Sequence, residues 1–252
     1  IFNLSDNKLR VIPGRILKRS TNLRELNLEN NLIESIDKDA FIGLGKLESM
    51  NLSNNDIQKL HWETFRSLFQ VKIINLDHNK LNLICNKMFA THAAIEELNL
   101  SYNNIFSIHP EAFKKSTTLR VLLLNDNKLM TFSSELFISL TKLTNLDLSN
   151  NHLRNISHES FRTQFNLKYL NLKNNELCEI QAAMFHKLQL QELNLQHNNL
   201  EFNAFYPDLM TLLSMKQNIS TLNLAENLCT ADINDQNNFK SMSKLKNLIL
   251  YV

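Results

Sequence analysis

The chain has 252 residues, 43% of them hydrophobic, and a formal net charge of +2, a composition that sustains a continuous core and excludes a disordered or collagen-like chain. Three glycines and three prolines are too few for a fold rich in special turns, and three scattered cysteines are too few for a disulfide framework. A near-neutral balance argues against nucleic acid as partner, and no run of 18 apolar residues suggests a membrane span.

In chain order the first recognisable unit is "FNLSDNKL" at Phe2, the tail of a pattern L-x-x-L-x-L-x-x-N-x-L that then starts at Leu23, Leu47, Val71, Ile95, Leu119, Leu143 and Leu167, 24 residues apart each time. It returns at Leu190, Ile219 and Leu245 with irregular spacing. A fixed period of this length reads as a solenoid of nine full copies and two partial ones, all in one domain, 1–252. Both ends fall inside a copy and no secretory leader stands before Ile1, so the stretch is expected to belong to a longer protein.

Within a copy, apolar residues at positions four and six alternate with polar ones. That is the period of a strand with its leucines turned inward, and constant spacing stacks such strands into one parallel sheet. Position nine holds Asn7, Asn31, Asn55, Asn79, Asn103, Asn127, Asn151, Asn175, Asn198 and Asn227. Each carries donors and an acceptor for backbone groups exposed as the strand bends away, which makes asparagine the turn residue in place of glycine. Ten residues further come Phe41, Phe65, Phe89, Phe113, Phe137, Phe161 and Phe185, with Leu17 in the first copy, expected to form a ring stack on the convex side of the core.

The motif L-x-x-L-x-L-x-x-N-x-L-x-x-I-x-x-x-x-F-x-x-L resembles the typical subclass of leucine-rich repeats over essentially the whole chain. The resemblance implies an α/β solenoid: a horseshoe with a parallel sheet on the concave face and irregular or short helical convex segments. It further implies a domain, usually extracellular or at the cell surface in animals, that binds a protein ligand or co-receptor, as in Toll-like receptor ectodomains, neuronal adhesion proteins and mosquito leucine-rich immune proteins. The cysteine-rich caps that such proteins usually carry are not in this stretch. An intracellular scaffold or adaptor built from the same repeat is the alternative.

Exceptions to the pattern are the places to look for function. The copy at Leu190 is 29 residues long, and its surplus, "EFNAFYPDLMTLLSMKQ" at 201–217, is read either as a short convex helix capped by Asp208 or as a protruding contact for a partner or a second copy. Cys229 takes an interior leucine position and is expected to be buried. Cys85 and Cys178 lie four copies apart, roughly 19 Å, too far to pair. His78 and His197 lie five strands apart, so no metal ion joins them, and no phosphate loop, serine elbow or metal motif occurs. Neither an enzyme nor a cofactor is expected. Among five N-x-S/T sequons, those at Asn3, Asn51 and Asn99 are what the repeat itself spells, while Asn155 and Asn218 lie in turns and are the glycosylation candidates.

Positions three, five, seven and eight should line the concave wall. They carry nine acids (Asp6, Glu25, Glu29, Asp77, Glu97, Asp126, Asp147, Glu192 and Glu226) against the single base Lys173. The wall is thus formally −8 on a chain of net +2, which leaves +10 for the rest and steers a basic partner inward. Position two alternates in sign, Arg24, Glu48, Lys72, Glu96 and Arg120, as a structural cross-strand ladder. Position five is a polar row interrupted by Leu123, in "LRVLLL", and by Ile249. With Val121, Ile73, Tyr169 and Tyr102 on the same wall, Leu123 is expected to centre an apolar island that contacts a protein partner.

Overall fold

The computed structural model describes residues 1–89, 94–185, 187–202, 219–229 and 246–249. Eleven short strands hydrogen-bond in sequence order into one sheet, from Phe2–Asn3 through Val121–Leu123 to Asn247–Ile249. All pairings are parallel and in register: Leu98 faces Leu122, and Leu122 faces Leu146. Parallel strands need a crossover between them. Here each crossover is one coil of a solenoid, mostly turns, with a single 3-10 helix at Ala182–Phe185 among the described residues. Among the described residues the convex side is therefore irregular and carries almost no helix.

Burial follows the repeat. Positions four and six are inside, as Leu98, Leu100, Leu122 and Leu124 show, each at most 1% exposed. The phenylalanine column is fully buried and stacks face to face, with centroids 6.2 Å apart for Phe41 and Phe65, 5.6 Å for Phe65 and Phe89, and 6.0 Å for Phe89 and Phe113. Rings aligned this way fill the convex half of the core with little loss of side-chain entropy, since phenylalanine has only two rotatable bonds.

The asparagine column sews the coils together. Asn127 donates through Nδ2 to the carbonyls of Leu124 and Asn125 in its own copy and of Leu100 in the preceding one, and accepts the Ile105 N–H through Oδ1. The pattern repeats from Asn31 to Asn227. It also survives the change of length: Asn227 still reaches the Leu195 carbonyl, 32 residues back. Buried backbone groups that no sheet or helix could satisfy are met by one amide per copy.

The tight turn itself sits one residue earlier than the sequence suggests. All ten position-eight residues, Asp6, Asn30, Asn54, His78, Tyr102, Asp126, Asn150, Asn174, His197 and Glu226, have left-handed backbone angles, with φ between 49° and 58°. The conformation aims the N–H at the next copy in the nine from Asp6 to His197; Tyr102 donates to the Asn125 carbonyl at 3.0 Å and Asp126 to that of Ser149 at 3.0 Å. Asparagine, aspartate and histidine tolerate this region, while tyrosine and glutamate are strained in it. Position nine therefore supplies the hydrogen bonds and position eight the bend. Of the glycines, Gly43 takes a left-handed φ of 95°, and a Cβ there would lie 2.5 Å from the Lys18 carbonyl oxygen.

The surplus residues 203–217 and Asn218 lie outside the described residues. So do the side chain of Cys229 and residue Phe239.

Candidate functional site on the concave wall

The wall is built from side chains at positions three and five of the strands and seven and eight of the turns. Position five has a local structural duty. Its side-chain oxygen accepts the N–H two residues on in nine copies, as Asn99 does from Ser101 and Asp147 from Ser149, each closing an Asx turn. Leu123 cannot accept, so the Asn125 N–H has no such partner in that copy. The leucine that breaks the polar row thus replaces a group with a turn-stabilising role, not a neutral surface residue.

The five apolar residues singled out in the sequence all lie on the wall but do not form one continuous island. The register places Glu97 between Ile73 and Val121, and Asn145 between Val121 and Tyr169. Tyr102 does not reach over either of them. Its ring stacks on His78 with centroids 4.2 Å apart and planes 17° from parallel, at the rim where the turns are. His78 in turn places Nδ1 3.0 Å from Asp77 Oδ2, a grouping that sequence reasoning missed, although both aromatic rings occupy position eight of adjacent copies. Leu123 and Val121 are half-buried, whereas Tyr169 is 38% exposed.

Leu123 instead meets Tyr169 across a depression of about 210 Å³. Its lining is completed by Asn145, Leu146 and Asp147 on one strand, Leu170 and Asn171 beside Tyr169, and Glu192 and Asn194 on the next. The Tyr169 hydroxyl donates to Gln191 Oε1 at 3.1 Å, which fixes the ring beside Glu192.

The acids of the wall differ from the others in their partners. On the flanks and the convex side, carboxylates meet arginine or lysine: Glu34 with Arg10, Glu48 with Arg24, Asp39 with Arg66, Asp56 with Lys80, Glu96 with Arg120, Glu135 with Arg162 and Glu176 with Arg154. Arg24–Glu48 and Glu96–Arg120 are the position-two ladder, closed as two pairs. None of the nine wall acids makes an ion pair with lysine or arginine among the described residues. Asp77 meets His78, Glu226 meets His197 at 2.9 Å, and Asp126 and Asp147 accept amide hydrogens from Asn150 and Asn171. The His197 hydrogen bond holds the Glu226 carboxyl below its ordinary pKa, assisted by Gln196, and the Asn30 amide does the same for Asp6.

Of the sequons, Asn51 and Asn99 are half-buried with Oδ1 held by the N–H and hydroxyl of Ser53 and Ser101. Asn155 is exposed in an irregular segment. Cys85, half-buried with its thiol pKa raised by burial, and Cys178, exposed, are both free. Among the described residues no three metal-ligating side chains gather, and no helix is long and apolar enough to cross a membrane.

The family model of the leucine rich repeat matches residues 1–57, 46–105, 93–153 and 141–200. Toll-like receptor 2 type-2 of Gallus gallus is 46% identical over 48 residues, a stretch covering 19% of this chain and 6% of that protein. A chain of the Toll–Spatzle complex of Drosophila superposes with a TM-score of 0.89 at 25% identity, over 99% of this chain and 34% of that one. A leucine-rich repeat protein of Leptospira interrogans shares the fold, with a TM-score of 0.72 at 23% identity over 98% of this chain and 71% of that one. This chain thus spans a small part of its animal relatives.

Proposed function

The chain belongs to the leucine-rich repeat family, and from that premise we propose that it is an extracellular or cell-surface recognition module of innate immunity. It binds a protein ligand or co-receptor with a basic surface on its concave wall, and it works by binding, not catalysis. Similarity to a Toll-like receptor and to a chain of a complex of Toll with Spatzle supports the setting. The observation that carries the site is the pairing of charges: among the described residues lysine and arginine partner most of the acids off the wall and none of the wall acids. An array of carboxylates without lysine or arginine partners on one concave surface focuses a negative potential, which favours and accelerates the approach of a basic partner.

The test is the salt dependence of binding to such a partner. Affinity is expected to fall at least about tenfold between 50 mM and 500 mM salt, as screening shortens the Debye length from roughly 14 Å to roughly 4 Å; affinity independent of salt refutes the basic-partner reading.

An intracellular scaffold is the second reading, and the free thiols Cys85 and Cys178 favour it, because thiols persist in reducing compartments. Asn155 separates the two. A glycosidase-sensitive mass shift at Asn155 in protein from its native source is expected for an extracellular module, and unmodified peptide throughout is the outcome for the scaffold.

A further inference from the structure

The depression between Leu123 and Glu192 has hydrogen-bonding capacity that the fold does not use. Its position-five polar groups are occupied: Asp147 accepts from Ser149 and Asn171, Asn171 accepts from Lys173, and Asn194 accepts from Gln196. Two of its three position-three groups are not. Asn145, Tyr169 and Glu192 stand side by side in register on three adjacent strands, and neither the Asn145 amide nor the Glu192 carboxylate has a side-chain partner among the described residues. Between them lies the Tyr169 ring, steadied through its hydroxyl by Gln191 and open to solvent on the depression side. Leu123 closes the far end with apolar surface.

From this juxtaposition, and resting on the reading of the wall as the surface for a basic partner, we infer that the depression is a receptor for one arginine side chain of that partner. The guanidinium lies over the Tyr169 ring, donates to the Glu192 carboxylate on one side and to the Asn145 oxygen on the other, and its methylene stem runs toward Leu123. Asn145 and Glu192 are two strands apart, roughly 10 Å between Cα atoms, a span that the two side chains and the planar guanidinium fill. Arginine suits the site better than lysine: its flat, weakly hydrated head stacks on an aromatic face while its N–H groups diverge to two acceptors, whereas an ammonium is a compact point charge that holds its water. The occupant is a basic side chain by charge complementarity, since Glu192 is an unpaired anion and the nearest wall cation, Lys173, is not part of the depression's lining.

The experiment titrates the full chain with N-acetylarginine methylamide and follows the ring signals of carbon-13-labelled tyrosine. A saturable shift is expected at Tyr169, with Tyr102 unmoved. The neutral citrulline analogue, isosteric with arginine, and the variant Glu192→Gln are each expected to weaken the interaction about tenfold. Glu176→Gln, an acid off the wall, should leave it within about twofold. Equal shifts at Tyr102 and Tyr169, an equal response to citrulline, or equal weakening by Glu192→Gln and Glu176→Gln each overturns the receptor. The first result agrees with a wall that attracts cations diffusely, and so leaves the basic-partner reading standing. That reading falls by its own measurement, salt-independent affinity for the protein partner.

Discussion

At the scale of single residues, Leu123 shows how a substitution can cost stability where it gains surface. In nine sister copies the corresponding oxygen accepts an N–H two residues on; here the acceptor is gone and a half-exposed leucine stands in the depression beside Tyr169. Leu123→Asn is expected to close the missing Asx turn and to hold or raise stability, by up to about 1 kcal/mol, while lowering affinity for the partner at least about fivefold. Urea midpoints and a binding isotherm check the two halves separately; a destabilised variant with intact affinity would reverse both. The exception was visible in the letters of "LRVLLL", but its cost was not. The cost depends on the Asx turns, and these follow from asparagine's reach to its own backbone, not from the apolar pattern by which the row was read. The direction of the Tyr102 ring escapes the apolar pattern for a similar reason. A ring at position eight leaves the backbone from a left-handed residue, so it points along the rim toward His78, not across the wall toward Val121.

Among elements, the asparagine column connects sequence to fold most directly. The leucines, the phenylalanines and the position-nine asparagines were legible because each does the same job in every copy, so repetition exposes it. The left-handed bend escaped because position eight holds asparagine, aspartate, histidine, tyrosine and glutamate, residue types that share no single local signal; what they share is the carbonyl of the next copy. The functional contacts are less legible still, since they differ from copy to copy and depend on which strands are neighbours. Asn127→Ala tests the column. It leaves the N–H of Ile105 without its partner and the carbonyls of Leu100, Leu124 and Asn125 with one donor each, from Asn103, Asn151 and Tyr102, at a site only 5% exposed. A loss of about 2 to 4 kcal/mol in unfolding free energy is expected, measured by chemical denaturation; a change below about 0.5 kcal/mol would mean that water takes over these bonds.

Over the whole molecule, each described strand of the large sheet pairs with the strands before and after it in sequence order. Stability in such an array is a sum of copies and of the seams between them. The same Asn127→Ala variant is therefore expected to speed amide exchange around Glu97–Asn99, Val121–Leu123 and Asn145–Asp147 while leaving Glu25–Asn27 near its original protection, a gradient that native-state hydrogen exchange resolves. Uniform acceleration along the chain would instead indicate that the solenoid opens as one unit.

The seams also dictate how such a chain can change its length. From Asn31 to Asn227 each position-nine asparagine bonds to the copy before it as well as to its own, and rings such as Phe65 and Phe89 stack on the ring before them, so a duplicated 24-residue block arrives with its own seam and meets the next block with an identical one. A single inserted residue within a strand would turn the leucines out and the polar row in. Duplication is thus the large change that this architecture accepts whole. Its effect is to move two clusters on the wall apart by one strand spacing, roughly 4.8 Å, with their chemistry untouched. A lineage of such proteins could in this way re-space its contact residues along a new ligand without redesigning the core beneath them.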